Sequence, residues 1–156
     1  MRVYADSSFI LRLVTAEADS PQVVAAYRRL ETPRLFFLPL HALEVQNAIR
    51  QRGFHQRRSL ASGERQHVAR ERDAALARFQ RLVARQVLLE VTLDMDAVVA
   101  RATTLSTAHT ERMGTRAIDL LHVAAALTLA SELFLTADLR QSQLAHAQGL
   151  PVEFIG

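Results

Sequence analysis

The sequence predicts an α/β domain, a three-layer sandwich in which a short parallel central sheet is flanked by helices. Two features of the chain point to it. Short apolar or β-branched runs at Val3–Ala5, Leu35–Leu38, Val87–Val91, Leu133–Thr136 and Val152–Ile155 alternate with stretches of helical periodicity. Strands separated by helices favour parallel pairing with helices on both faces. The 156 residues fit one domain spanning 1–156, long enough to bury an ordinary core without staples.

The elements follow in order. The first strand ends at Asp6, and Ser7 or Ser8 can cap a helix running through Leu13. Ser20 is the expected N-cap of a second helix, with Pro21 at its first position. Pro39 opens a helix that carries Leu40, Leu43, Glu44, Asn47, Ala48 and Ile49, with Gly53 as its stop. Residues 59–86 give one long, arginine-studded helical pattern whose apolar stripe is Ala69, Leu76, Phe79, Leu82 and Val83. Asp94 or Asp96 caps the next helix, which runs to about Ala108, and Gly114 punctuates the chain. Ala117–Ala130 is helical and apolar nearly all round, which predicts a central position. Leu139–Gln148 is a helix ended by Gly149, and Pro151 precedes the last strand.

Composition removes several chemistries. With 49% hydrophobic and 22% charged residues the chain is globular. It has no cysteine, hence no disulfide, thiolate zinc site or cysteine nucleophile. All 19 basic residues are arginine. Without lysine there is neither a Walker A phosphate loop nor a Schiff base. Arginine-only usage is also what a GC-rich genome produces, yet its consequence stands, because the planar guanidinium suits phosphate. Residues 46–89 hold ten arginines against Glu64, Glu71 and Asp73, whereas residues 91–156 hold four arginines against seven acids. A basic middle and an acidic final part suit a protein that binds a polyanion and gathers carboxylates elsewhere. The opening MRVYADSSFILRL has no signal-peptide pattern, and no run of about 18 apolar residues occurs. A soluble cytoplasmic protein with no membrane segment is the expectation.

Four acids stand out. In open parallel sheets the site lies beyond the carboxyl ends of the strands. Asp6 follows the first strand, and Asp138 follows Leu133–Thr136. Asp119 opens the apolar helix AIDLLHVAAALTLA, and Glu44 sits between Leu43 and Val45 with Asn47 one turn on. Each has a structural reading: a helix cap for Asp6 and Asp138, with Thr136 a rival cap, a helix-dipole partner for Asp119, and a solvated helix residue for Glu44. Four such acids at element ends fit a shared pocket better than four independent features. An unpaired carboxylate in a segment as apolar as that of Asp119 is costly, and a cation would offset the cost. Hard divalent ions take carboxylate and water oxygens and leave positions for a phosphate. They also lower the pKa of bound water and offset charge developing on the phosphoryl group.

DSSFILRL, LEVQNAIR, RAIDLLHVAAAL and LFLTADLRQSQLA followed by GLPV resemble, in that order and over nearly the whole chain, a PIN domain, and within that group VapC-type toxins of toxin–antitoxin pairs. The resemblance implies a PIN-like fold and a Mg²⁺- or Mn²⁺-dependent endoribonuclease that hydrolyses RNA phosphodiester bonds by metal-activated water. It also implies a homodimer inhibited by a cognate antitoxin. By resemblance, Asp6, Glu44, Asp119 and Asp138 match the acidic quartet that is both catalytic and metal-binding, and Ser7 or Ser8 matches a polar position beside the first acid. Asn47 and Thr136 join the two serines as candidate supporting residues. The arginine-rich stretch over 50–85 is longer than in compact members.

Arg50, Arg52, Arg57 and Arg58, with Arg65, Arg70 and Arg72 and the interleaved His55 and His67, can grip an RNA backbone or form a solvated helix face and loop. Phe54 can stack a base or pack as a loop residue on the domain. Arg140, two residues after Asp138, can bind phosphate or antitoxin or pair with an acid. The six histidines include no i,i+3 or i,i+4 pair, so no zinc site is expected. His122, three residues after Asp119, reads as a packed helix residue near the pocket, and Tyr4 as core. Phe9, Ile10, Leu13 and Val14 can line an antitoxin groove or a dimer interface, but read first as core. The competing function is a catalytically silent module that binds antitoxin or RNA. An aspartyl-phosphate hydrolase is disfavoured, since position 8 is Ser where Asp is usual and lysine is absent.

Overall fold

A computed structural model describes residues 1–61 and 63–156. In chain order the elements are β1 (Val3–Ala5), α1 (Ser7–Val14), α2 (Ser20–Arg29), β2 (Leu35–Phe37), α3 (Pro39–Arg58), α4 (Arg65–Ala84), β3 (Leu88–Glu90), α5 (Met95–Met113), α6 (Ala117–Thr128), β4 (Leu133–Thr136), α7 (Leu139–Ala147) and β5 (Val152–Phe154). The five strands form one sheet in the order β3-β2-β1-β4-β5. Every pairing is parallel, with Val3 opposite both Leu35 and Leu133. This is the expected three-layer α/β architecture.

The two-residue period of the strands sorts side chains between two cores. Val3, Ala5, Leu35, Phe37, Leu88 and Leu135 face one side and pack on Phe9, Ile10, Val14, Val23, Val45, Ile49, Ala75 and Phe79 from α1 to α4. Tyr4 and Phe134 face the other and pack on Val98, Ala102, Leu105, Leu120, Val123 and Leu144 from α5 to α7. Burial on both faces explains why the strands read as short apolar runs with few polar interruptions. Within the second core the Phe134 ring stacks on Tyr4, with centroids 5.7 Å apart and planes 6° from parallel.

Adjacent strands β1 and β4 are the switch point of the sheet. From β1 the chain crosses outward to β2 and β3, and from β4 it crosses the opposite way to β5. The crevice that such a reversal leaves is at the carboxyl ends of these two strands, where Asp6 and Asp138 lie. Among the described residues, no helix is long and apolar enough to cross a membrane.

Several local expectations change. Gly53 does not end its helix: α3 continues to Arg58. Gly53 is buried against Val68 and Arg72 of α4, and this packing outweighs the roughly 1 kcal/mol by which glycine disfavours a helix. Phe54 is therefore helical rather than in a loop, and it is 55% exposed instead of packed on the domain. The helix expected over 59–86 begins only at Arg65, and Ser62, inside that expectation, lies outside the described residues. Ser20 is not an N-cap. Asp19 holds that position, while the Ser20 hydroxyl turns back to donate to Thr15 O and accept from Glu17 N, both at 3.0 Å. Leu43, one of the apolar residues expected to bury α3, is 69% exposed, because the buried face is His41, Val45, Ile49 and Gly53. The helix expected to stop near Ala108 runs to Met113, where Gly114 accepts the left-handed conformation that closes it, at φ 63°.

Phe134→Ala should cost about 3–5 kcal/mol, because it opens a cavity beside Tyr4 in a core with little room to collapse. Urea denaturation monitored by circular dichroism would measure it.

Candidate active site

The site begins with a strand that stops. β1 ends at Ala5, and Asp6 turns to extended geometry (φ −72°, ψ 171°) that opens α1 as its N-cap. The Asp6 carboxylate accepts from Phe9 N at 2.9 Å and from Thr136 Oγ1 at 2.6 Å. Ser8 Oγ stands 2.7 and 2.9 Å from its two oxygens. All these donors are neutral, and Asp6 is fully buried. Burial pushes its carboxyl above the ordinary value, against the opposing pull of nearby His122 and of the Thr136, Phe9 and Ser8 hydrogen bonds. Ser8 and Thr136 also organise β4: Ser8 Oγ accepts from Ala137 N and Thr136 Oγ1 from Asp138 N, both at 2.9 Å.

Asp138 caps α7, its Oδ1 accepting from Arg140 N at 2.8 Å and Gln141 N at 3.3 Å. Asp119 is fully buried in the first turn of α6, where its Oδ2 accepts from Arg116 N at 2.9 Å. Arg116 ties the two acids together. Its guanidinium reaches Asp119 through Nε at 3.2 Å and Nη2 at 3.1 Å, and Asp138 through Nη2 at 3.0 Å. Gln141 Nε2 also approaches Asp119 Oδ1, at 3.4 Å, while its own Oε1 is buried without a partner.

Glu44 stands in the second turn of α3, so it is not at an element end as the sequence pattern suggested. Its Oε2 accepts from Ser7 Oγ at 2.7 Å and meets His122 Nε2 at 2.5 Å. Behind it His122 Nδ1 lies 2.8 Å from the Tyr4 hydroxyl. Burial raises the Tyr4 phenol well above its ordinary pKa, with the charges of Asp6 and Glu44 adding to the effect. A protonated phenol donates to Nδ1, which leaves Nε2–H as the donor to Glu44.

The structure thus joins Asp6, Ser8, Thr136 and Asp138 in one hydrogen-bonded group, Asp119 and Asp138 through Arg116, and Glu44 to Ser7 and His122. It does not join Asn47 to Glu44: Asn47 is exposed and lines a shallow groove with Leu43, Gln46 and Arg50. Among the described residues, no three His, Cys, Asp or Glu side chains stand together at metal-holding spacing. The donor set nevertheless fits a hard divalent ion. It consists of carboxylate oxygens at a switch point, with an orphaned buried amide oxygen on Gln141 beside Asp119. Asp6, Glu44, Asp119 and Asp138 would be the carboxylates to hold the ion, once the Arg116 guanidinium turns away from Asp119 and Asp138.

Of the arginines expected to meet RNA, Arg52 is committed internally, to Glu17 Oε1 at 3.1 Å and Ala16 O at 3.0 Å. Arg50 turns back on Gln46. Arg57 makes no ion pair among the described residues, and Arg58 lies over the Phe54 ring, 5.6 Å from its centroid. These two line an open groove with Phe54, Arg65, Gln66 and Ala69. Arg140 Nε is 3.9 Å from Asp138 Oδ1. Arg116 and Gln141 are site neighbours that the sequence pattern does not single out, and Tyr4 and His122 do more than pack. Arg116 was detectable, since Arg-x-x-Asp at a helix start is an i,i+3 pair. The tertiary bonds of Tyr4 and His122 left no local signal.

Fold and site together define an α/β domain with acids gathered at the switch point of a parallel sheet. The chain belongs to the PIN domain family, which it matches over residues 3–147. Its fold is also similar to that in the crystal structure of FitAcB from Neisseria gonorrhoeae, with a TM-score of 0.60 and 17% identity over 96% of this chain and 95% of that one. No curated protein matches it in sequence.

A second buried histidine sets a pH dependence. His41 accepts from Leu38 N and bonds Ala5 O, both at 3.0 Å, between the rings of Tyr4, Phe37 and His122. Burial holds its pKa well below the ordinary value, with His122 adding to the effect. The unfolded chain therefore binds a proton that the folded chain refuses once pH falls below about 6.5, so stability is full above that pH and declines below it. Thermal melts from about pH 7.5 to about pH 5.5 should show this decline, and His41→Asn, which can still accept from Leu38 N, should make it shallower.

Proposed function

We propose that this PIN domain, one unit over residues 1–156, is a Mg²⁺- or Mn²⁺-dependent endoribonuclease and the toxin of a VapC-type toxin–antitoxin pair. The observation that carries the reading is the meeting of Asp6, Asp119 and Asp138 around the ends of β1 and β4, with Glu44 brought in from α3. When bound, the ion lowers the pKa of a water and offsets charge on the phosphoryl group. The chain's own parts are positional. Asp6, Glu44, Asp119 and Asp138 would supply oxygens, Ser8 and Thr136 hold the Asp6 carboxylate in place, and Arg116 carries a fork suited to phosphate when it is not on the aspartates. RNA as substrate is supported by the ordered motifs and by the basic groove at the far end of α3. An antitoxin partner, a homodimer and a cytoplasmic location belong to the same reading.

One observation favours a catalytically silent module that binds antitoxin or RNA: Arg116 already offsets part of the charge of Asp119 and Asp138, and no three His, Cys, Asp or Glu side chains stand at metal-holding spacing among the described residues. The two readings differ in an ion-dependent melt. Mn²⁺ at about 100 times its Kd should stabilise a metal site by about 2.7 kcal/mol, whereas a silent module gives no shift.

Asp6→Asn and Asp119→Asn should each abolish RNA cleavage with the circular dichroism spectrum unchanged. Full activity in both would remove the acids from the chemistry.

Arg57→Ala with Arg58→Ala should weaken RNA binding and reduce the slope of log K against log salt by about 1.4, the loss of two single-strand phosphate contacts. Fluorescence anisotropy across a salt series measures the slope, and an unchanged slope would place RNA elsewhere.

A further inference from the structure

Like Thr136 at Asp6, His122 is a fully buried side chain that touches an acid of the site from outside the acidic set, in its case Glu44. It lies on α6 one turn after Asp119, so a single helix carries both. Its two ring nitrogens are both engaged, Nδ1 with Tyr4 Oη at 2.8 Å and Nε2 with Glu44 Oε2 at 2.5 Å. Tyr4 belongs to β1, two residues before Asp6. The chain Tyr4–His122–Glu44 therefore links the strand that ends in Asp6, the helix that carries Asp119 and the helix that carries Glu44. Ser7 Oγ approaches the same Oε2 at 2.7 Å. Both donors thus converge on one oxygen of Glu44, while Oε1 makes no hydrogen bond among the described residues. A carboxylate held in this way has one face fixed and the other directed outward.

We propose that His122 is a positioning residue for the active site: its Nε2–H, with the tautomer set by the Tyr4 hydroxyl, fixes Glu44 Oε2 so that Oε1 is presented to a divalent cation. The proposal rests on the metal-site reading above. A glutamate on a half-exposed helix face samples several rotamers, and ordering its long side chain on binding costs entropy. Burying the donor behind it meets that cost at folding. Supporting contacts of this kind typically change metal affinity 10–100-fold when lost. A histidine that merely fills space would be replaceable by any side chain of similar volume. One that delivers a proton donor at the Nε2 position would be replaceable only by a side chain that places a donor there. Gln does so with its terminal amide, whereas Asn places its amide nearer the Nδ1 position, short of Glu44.

The test compares His122→Leu, His122→Gln and His122→Asn in the full chain. Mn²⁺ binding is measured by isothermal titration calorimetry without RNA, and kcat and KM are measured on a single-stranded RNA. His122→Leu and His122→Asn should weaken Mn²⁺ binding at least 10-fold, and His122→Gln should return to within about threefold of the wild type. Cleavage should lose kcat with KM for RNA nearly unchanged, because the phosphate-binding surface is intact. If the leucine variant does not fold, the difference between the Gln and Asn variants carries the same information. Equal Mn²⁺ affinity in the Gln and Asn variants, or wild-type affinity in the leucine variant, overturns the positioning role and leaves the metal site standing. A wild-type protein that takes up no Mn²⁺ overturns the metal reading and this proposal with it.

Discussion

The buried carboxylate of Asp6 is the constraint around which the site is arranged. It ends β1, starts α1 through Phe9 N and reaches across to β4 through Thr136. A fully buried charge is tolerable only with its acceptor capacity filled. Here a backbone amide and two hydroxyls fill it, and one of those hydroxyls stands on a strand 130 positions away in sequence. The pairing of β1 with β4 is thus fixed by the polar group at its end as well as by Val3–Leu133 register. Ser8 and Thr136 pass the constraint on, since they also hold the backbone of Ala137 and Asp138. The position of Asp138 follows from that of Asp6.

The other carboxylates are satisfied by different means, and the differences matter. Asp119 and Asp138 share one guanidinium, whose side chain is 55% exposed. Glu44 has a hydroxyl and a buried imidazole. Asp6 has only neutral donors. Among the described residues Arg116 is the arginine in close contact with the acids, with Arg140 at the edge of ion-pair range. Four like charges with so little fixed compensation raise each other's cost, and a mobile cation is the ordinary remedy. An exposed arginine is a compensation that can turn away, provided another positive charge takes its place at the buried Asp119. A lysine ammonium fixed between Asp119 and Asp138 would be a permanent substitute for the ion. Under the metal-site reading the acids are arranged for exchangeable positive charge, which would separate this pocket from a set of helix caps.

The parallel sheet was legible because each strand is a short apolar run bounded by helical periodicity. Asp6 and Asp138 were legible because they follow such runs directly, and both turn out to be helix caps as well as neighbours in the site. The two readings were never exclusive: a residue at the carboxyl end of a parallel strand is also at the start of a helix. Gly53 misled because propensity is local, whereas the contact with Val68 and Arg72 that keeps α3 going is not. Ser20 misled for a similar reason, its hydroxyl being taken by Thr15 and Glu17. The chain Tyr4–His122–Glu44 was hidden by the same rule. Tyr4 and His122 are 118 residues apart, and each sits in an apolar pattern that accounts for it without function.

Helix α3 has the remaining geometric consequence. Glu44 lies near its start and Arg58 at its end, about 21 Å apart along the axis at 1.5 Å per residue. Because Gly53 does not break the helix, the acid and the basic tip form one rigid rod, braced by α4. Arg52, in the middle, is turned inward to Glu17 and Ala16, so the positive surface is not continuous from site to tip. It is concentrated where Arg57, Arg58 and Arg65 surround the exposed Phe54 ring. Under the nuclease reading, a strand gripped there reaches the acids only if it spans about 20 Å, several nucleotides of extended RNA. Grip and cut would then be separate requirements on the substrate, set at a fixed distance by an uninterrupted helix.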